Sequence, residues 1–90
     1  MRDWNGKRYW LVGASEGLGE ALAHKLSRVG VELILSARSE EKLQELADAL
    51  PGKAHVRPVD ITDPDALEQV ADAVGDLDGV VHMAGAYWPF

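Results

Sequence analysis

Apolar and polar residues follow two patterns along this chain: short runs that are mostly apolar, and longer segments with an apolar residue every three or four positions. The short runs are typical of β-strands and predict four of them, over residues 7–12, 31–37, 54–59 and 78–85. The longer segments lie between these runs and predict three amphipathic helices. The apolar stripes of these helices are Leu18, Ala21, Leu22, Leu26 and Val29; Leu43, Leu46, Ala47 and Leu50; and Leu67, Val70, Ala71 and Val74.

Residues that start or stop helices separate these segments. Gly30 ends the first helix, and Ser39 is a candidate N-cap for the second. Pro51-Gly52 ends that second helix, and Thr62-Asp63-Pro64-Asp65 is a helix start with proline near the first position. Gly75 closes the third helix. The predicted order of elements is therefore βαβαβαβ.

Strands joined through helices are parallel, so the pattern predicts an α/β fold with an open parallel sheet in three layers. Pro58 lacks an N–H and places the third strand at an edge, with Val56 as its inward residue. Right-handed crossovers put the first two helices on one face and the third on the other. We expect the strand order 3-2-1-4.

The first strand runs into the first helix through a glycine-rich turn, Gly13 to Gly19. At such a turn Gly13 can adopt backbone angles closed to other residues, and Gly17 lets a pyrophosphate approach the main chain. Gly19 lets the helix come close to the strand, and the N–H groups of its first turn favour an anion. The strand, turn and helix together predict a phosphate-binding site.

Composition removes several other classes of function. The formal net charge is −6, from 15 acidic and 9 basic residues, which argues against a nucleic-acid partner. No segment approaches the ~20 apolar residues of a membrane helix, and the absence of cysteine fits a cytoplasmic location. His24, His55 and His82 lie too far apart to form a local metal motif, so no metal site is expected.

The chain resembles the short-chain dehydrogenase/reductase family, as the N-terminal half of its Rossmann-type domain over residues 1–90. Gly13, Gly17 and Gly19 match the family motif Thr-Gly-x-x-x-Gly-x-Gly, with Val12 in place of threonine. Asp60-Ile61 resembles the pair that lies along the adenine ring in the family. His82-Met83-Ala84-Gly85 resembles its Asn-Asn-Ala-Gly segment, although Met83 removes an amide that braces the neighbouring backbone.

This resemblance implies a nicotinamide dinucleotide site formed by the glycine turn and the ends of the next three strands. The residues assigned to that site are Gly13, Ser15, Glu16, Gly17, Leu18, Gly19, Arg38, Asp60, Ile61, Ala84 and Gly85.

Arg38 decides which cofactor is expected. An NAD(H) site needs a carboxylate about 20 residues past the glycines, and the second strand here has no acid at its tip. Arg38 stands there instead and suits a 2′-phosphate. Glu16 acts in the opposite direction, because an acid near that phosphate weakens its binding. We predict NADP(H) in preference to NAD(H).

The resemblance also shows which residues are missing. The family uses a tyrosine, a lysine four residues later and a serine for catalysis, but Tyr9 is followed at that spacing by Gly13, and Tyr87 lies three residues from the last position. We therefore assign no catalytic residue and expect a truncated chain, with hydride transfer in a longer parent. The alternative is a non-catalytic dinucleotide-binding or assembly module, natural or engineered.

The fourth strand is predicted to lie at an exposed, apolar edge of the sheet. The segment after it, Tyr87-Trp88-Pro89-Phe90, is aromatic, whereas chain ends are usually polar. An unpaired apolar edge favours pairing with another copy of the chain. We expect a homo-oligomer formed through the edge of the fourth strand, with no nucleic-acid or membrane partner.

Overall fold

A computed structural model describes residues 5–13 and 17–82 of the chain. The strands are β1 (Arg8–Val12), β2 (Glu32–Ser36), β3 (Ala54–Val56) and β4 (Gly79–His82), and the helices are α1 (Gly17–Arg28), α2 (Glu40–Ala49) and α3 (Pro64–Val74). All strand pairs are parallel, and the sheet has the order β3-β2-β1-β4. The predicted α/β class and strand order are confirmed.

Two apolar clusters cover the two faces of the sheet. Side chains from β1 and β2 alternate between these clusters, as the two-residue repeat of a strand requires. The first cluster packs the sheet against α1 and α2 and includes Leu11, Leu33, Leu35, Ala23, Leu43 and Leu46. The second packs it against α3 and includes Trp10, Val12, Ile34 and Val74. The predicted placement of the helices on the two faces is confirmed.

The buried face of α1 differs from the predicted stripe. Its buried residues are Gly19, Ala23 and Ser27, spaced four residues apart, whereas Leu22 and Leu26 are only half-buried. The prediction was wrong for the other three members of the stripe, which are exposed: Leu18, Ala21 and Val29. Small side chains let the helix axis lie close to the sheet, so the larger leucines flank the contact.

The other two helices begin and end as predicted. Ser39 caps α2 through its hydroxyl, which accepts a hydrogen bond from the Lys42 N–H at 3.3 Å. Asp63 caps α3, Pro64 is its first residue, and Gly75 follows its last turn with a φ of 77°. Within the described ranges, no helix is both long enough and apolar enough to cross a membrane.

β3 ends three residues before the predicted strand end, yet its hydrogen bonds to the neighbouring segment continue. The N–H groups of Arg57 and Val59 donate to carbonyls of β2 and of the residue that follows it, at 2.8 and 3.0 Å. Pro58 lies between these two donors, so its missing N–H belongs to the outward side of the strand. The predicted edge position of this segment is confirmed, and Val56 packs against the α1 and α2 cluster.

β4 forms the other edge of the sheet in the part of the chain that the structure describes. Val80 in this strand is 54% exposed. The predicted fourth strand extends to Gly85, but residues 83–90 lie outside the described ranges. Self-association through β4 stays a prediction.

Candidate functional site

The parallel strands bring several predicted site residues to one end of the sheet. Gly13 directly follows β1, and Arg38 lies just beyond β2. Asp60 follows residues 57–59, which continue the pairing of β3 and are called its extension below. In open α/β sheets, ligands bind at the carboxyl ends of the strands, where the strand order reverses. Here that reversal lies between β1 and β4, because the chain enters the sheet at β1 and moves outward in both directions.

The glycine turn has the backbone geometry that its glycines predict. Gly13 has a φ of 88° and Gly17 a φ of 60°, values that residues other than glycine rarely adopt. A Cβ added at Gly17 would meet no atom of the described residues within 4 Å, apart from its chain neighbours, so none of these residues fills the space beside the start of α1. Ser15 and Glu16 lie outside the described residues. Leu18, in the first turn of α1, is 78% exposed.

Ser36, which was not predicted as a site residue, binds Gly13 at the start of the glycine turn. Its carbonyl accepts the Gly13 N–H at 2.6 Å, and its hydroxyl accepts the Trp10 indole N–H at 2.8 Å. Both Ser36 and Trp10 are buried, so this side-chain bond satisfies polar groups that water cannot reach. A serine inside an otherwise apolar strand is the signal that could have identified it.

Arg38 and Asp60, which belong to separate sequence motifs, face each other at this end of the sheet. Arg38 Nη2 lies 3.5 Å from Asp60 Oδ1. The two side chains are 67% and 55% exposed, so the pair is solvated and weak. The guanidinium is therefore held near the strand ends while it remains accessible to a ligand.

The Asp60 carboxylate is fixed mainly by Thr62. Asp60 Oδ1 accepts the Thr62 hydroxyl at 2.6 Å and the Thr62 N–H at 3.0 Å, and the Asp60 carbonyl accepts the Asp63 N–H at 3.0 Å. The Thr62 hydroxyl, then its N–H, and to a smaller extent the charge of Arg38, hold the pKa of Asp60 below its usual range. Thr62 was not predicted as a site residue, although aspartate side chains often accept the backbone N–H two residues further on.

Ile61 is half-buried and packs against the apolar cluster on the α3 face. This contact ties the turn between Asp60 and α3 to the core. A role for Ile61 beside an adenine ring stays a prediction, as do the assignments of Ala84 and Gly85, which lie outside the described residues.

At the amino end of the sheet, the side chains of Glu32, His55 and Arg8 form a cluster. Glu32 Oε2 lies 2.6 Å from His55 Nε2 and 3.6 Å from Arg8 Nε, so three adjacent strands contribute to one cluster. The hydrogen bond with His55, and then the charge of Arg8, hold the pKa of Glu32 below its usual range. Arg8 Nη1 also donates to the carbonyls of Val74 and Asp76, at 2.9 and 2.8 Å.

A cleft of about 370 Å³ lies between α1 and α2, bounded by Glu20 and His24 on one helix and by Lys42 and Glu45 on the other. Of the predicted site residues that the structure describes, Gly17 alone lines this cleft. Among residues 5–13 and 17–82, no group of three or more His, Cys, Asp or Glu side chains could hold a metal ion.

Comparison with known protein families gives a match over almost the whole chain. Residues 7–90 match the family model described as short chain dehydrogenase. An uncharacterized oxidoreductase of Staphylococcus epidermidis is 42% identical over 79 residues, an alignment that covers 83% of this chain and 34% of the relative. The 7beta-hydroxysteroid dehydrogenase of Clostridium sardiniense is 40% identical over 98 residues, covering 97% of this chain and 38% of that enzyme. The chain thus spans little more than a third of the length of these relatives.

Solved structures give the same result. A short-chain type dehydrogenase/reductase of Mycobacterium marinum superposes with a TM-score of 0.79 at 32% identity, covering 87% of this chain and 34% of that one. The Pseudomonas aeruginosa RhlG/NADP active-site complex superposes with a TM-score of 0.81 at 25% identity, covering 92% and 37%. The family match, the parallel sheet and the glycine turn at its carboxyl end show that this chain belongs to the short-chain dehydrogenase/reductase family of oxidoreductases.

Proposed function

We propose that this chain binds NADP(H), in preference to NAD(H), as the cofactor-binding part of a longer short-chain oxidoreductase. Membership of the family implies a nicotinamide dinucleotide cofactor. In the longer protein, that cofactor exchanges a hydride with a carbonyl or alcohol substrate. The role of the present residues is to bind and orient the dinucleotide.

The glycine turn supports the pyrophosphate part of this proposal. Gly13 and Gly17 both have positive φ, and no atom of residues 5–13 or 17–82 fills the place that a Cβ would take at Gly17. α1 begins at this point, so its first N–H groups and the positive end of its dipole are available to an anion. The geometry fits a diphosphate that approaches the main chain closely.

The observation that carries the NADP(H) preference is the position of Arg38. It follows the last buried residue after β2, Ala37, at the point where NAD(H) sites present a carboxylate to the ribose. Its side chain is 67% exposed, and a guanidinium can donate two parallel hydrogen bonds to a phosphate. The relative solved with NADP shares this fold and supports the same choice of cofactor.

The preference is tested by measuring the dissociation constants of NADPH and NADH through the change in cofactor fluorescence. We expect Arg38→Ala to weaken NADPH about tenfold, since charged hydrogen bonds to a phosphate are lost, and to leave NADH within about twofold. The matched control is Arg28→Ala, which removes an exposed arginine from the last turn of α1, at the far end of that helix.

Two results would contradict the proposal. One is a wild-type chain that binds NADH as tightly as NADPH. The other is an Arg38→Ala variant that lowers both affinities equally, because the side chain would then not recognise the 2′-phosphate.

A further inference from the structure

We propose that Thr62 is a positioning residue for cofactor selection: its two donors occupy Asp60 Oδ1 and so prevent Asp60 from drawing Arg38 into a close ion pair that competes with the 2′-phosphate. This inference rests on the NADP(H) site proposed above. It adds the residue that controls how much of the Arg38 guanidinium is available to that phosphate.

Three groups converge on a single carboxylate oxygen. Asp60 Oδ1 receives the Thr62 hydroxyl at 2.6 Å and the Thr62 N–H at 3.0 Å, while Arg38 Nη2 lies at 3.5 Å from the same atom. Charge-assisted N–H to O contacts are usually about 2.7 to 2.9 Å long. The contact with Arg38 is therefore longer than a good charged hydrogen bond, whereas the Thr62 hydroxyl bond is short and the Thr62 N–H bond lies close to that range.

The carboxylate is oriented by its own turn and not by the arginine. Both Thr62 donors come from two residues along the chain, and the Asp63 N–H holds the Asp60 carbonyl at 3.0 Å. Ile61 anchors the same turn to the apolar cluster on the α3 face. Asp60 is thus the fixed member of the pair, and Arg38, on a long exposed side chain, is the adjustable one.

Loss of the Thr62 hydroxyl changes this balance. The N–H of residue 62 is then the one donor of this turn left on Asp60 Oδ1. A carboxylate held by that single bond can turn more easily towards the guanidinium and form the bidentate pair that arginine and carboxylates favour. A 2′-phosphate must then displace Asp60 before it can bind Arg38. NADH carries no such phosphate, so its affinity depends much less on this competition.

The test compares Thr62→Val, which keeps the branched shape without the hydroxyl, with Thr62→Ser, which keeps the hydroxyl. NADPH and NADH dissociation constants are measured for each variant, alone and combined with Asp60→Asn. We expect Thr62→Val to weaken NADPH about threefold more than NADH, in keeping with the modest strength of exposed charge pairs. Thr62→Ser restores the preference, and Asp60→Asn removes the effect of Thr62→Val.

A second measurement reports on the carboxylate itself. The pKa of Asp60, followed by carbon NMR of its carboxyl group, should rise in Thr62→Val and return to its low value in Thr62→Ser, because the hydroxyl is the main cause of the low value. Arg38 is the charged side chain that faces Asp60 in the described structure, so the pKa of Asp60 is also measured in the Arg38→Ala variant. If Thr62→Val does not fold, Thr62→Ala takes its place in every comparison.

The outcomes separate this inference from the proposed function. Equal weakening of NADPH and NADH by Thr62→Val, or the same loss in the Asp60→Asn background, overturns the inference, since Thr62 then only stabilises the turn. A wild-type chain without NADPH preference overturns the proposed function instead. Selective loss of NADPH in Arg38→Ala together with an unchanged preference in Thr62→Val overturns the inference alone.

Discussion

An arginine lies at each end of the sheet, and the two differ in how many contacts their guanidinium groups make with the described part of the protein. At the amino end, Arg8 donates to two carbonyls, one from the last residue of α3 and one from the loop that follows, and lies beside Glu32, so its guanidinium is occupied by the protein. At the carboxyl end, Arg38 makes a long contact with Asp60, and its side chain is mostly exposed. The comparison teaches that the contacts of an arginine within the protein distinguish one that is committed to the fold from one that stays accessible to solvent.

The strongest test of this difference is to remove the two arginines in turn. We expect Arg8→Met to lower the free energy of unfolding by about 2 kcal/mol, because hydrogen bonds from a charged donor to two carbonyls are lost. Arg38→Met should lower it by less than about 0.5 kcal/mol, as exposed substitutions usually do. Urea unfolding followed by circular dichroism measures both. Equal losses would mean that the two ends do not differ in this way.

A smaller effect on stability is expected at Asp63, whose carboxylate caps a helix, whereas the neighbouring Asp60 carboxylate faces Arg38. Asp63 caps α3 by accepting the N–H groups of Asp65 and Ala66, at 3.0 and 3.3 Å. Asp63→Ala should therefore cost about 1 kcal/mol of stability and leave the ratio of NADPH to NADH affinity unchanged. Asp63→Asn, which can still cap the helix, is the matched control. A changed cofactor ratio in Asp63→Ala would show that the cap itself belongs to the ligand site.

The smallest effect is the pH dependence of the amino end. The pKa of Glu32 is lower in the folded chain than its ordinary value of 4.5, chiefly through its hydrogen bond with His55. Its contribution to stability is therefore complete above that ordinary value and is lost as the pH falls through the lower, folded-state pKa. We expect Glu32→Gln to cost less than about 1 kcal/mol at pH 7 and to reduce the loss of stability between pH 5 and pH 3, roughly the window in which such carboxyls titrate.

Urea midpoints measured across that pH range give the comparison. Glu68→Gln, at an exposed position on α3, is the control and should follow the wild-type profile. If Glu32→Gln keeps the full wild-type loss of stability on acidification, the Glu32 cluster does not contribute in the way that its contacts indicate.

The overall fold could be predicted because its signals are local. Each strand is a short apolar run, each helix has a cap or a breaker, and the alternation of the two allows few topologies for a parallel sheet. The face of α1 was predicted only in part, because Gly19, Ala23 and Ser27 form the centre of the contact with the sheet and the larger Leu22 and Leu26 lie at its flanks. Hydrophobicity alone does not indicate where small residues allow close packing.

The candidate site was predicted residue by residue, but its contacts were not. Arg38 and Asp60 were each named from the sequence, while their contact depends on how β2 and the extension of β3 align. The cluster of Arg8, Glu32 and His55 was missed for the same reason, since its members lie on three different strands. Thr62 is different, because its bonds to Asp60 are local and the sequence pattern alone could have indicated them.

Pro58 has a consequence for the direction in which this sheet can be extended. The N–H groups of Arg57 and Val59 are already used by the neighbouring segment, and between them the proline offers no donor to the outside. An additional strand arriving beside β3 would therefore find its ladder interrupted at this residue. β4, over Gly79–His82, contains no proline, so the described part of the other edge has no such interruption in its row of N–H donors.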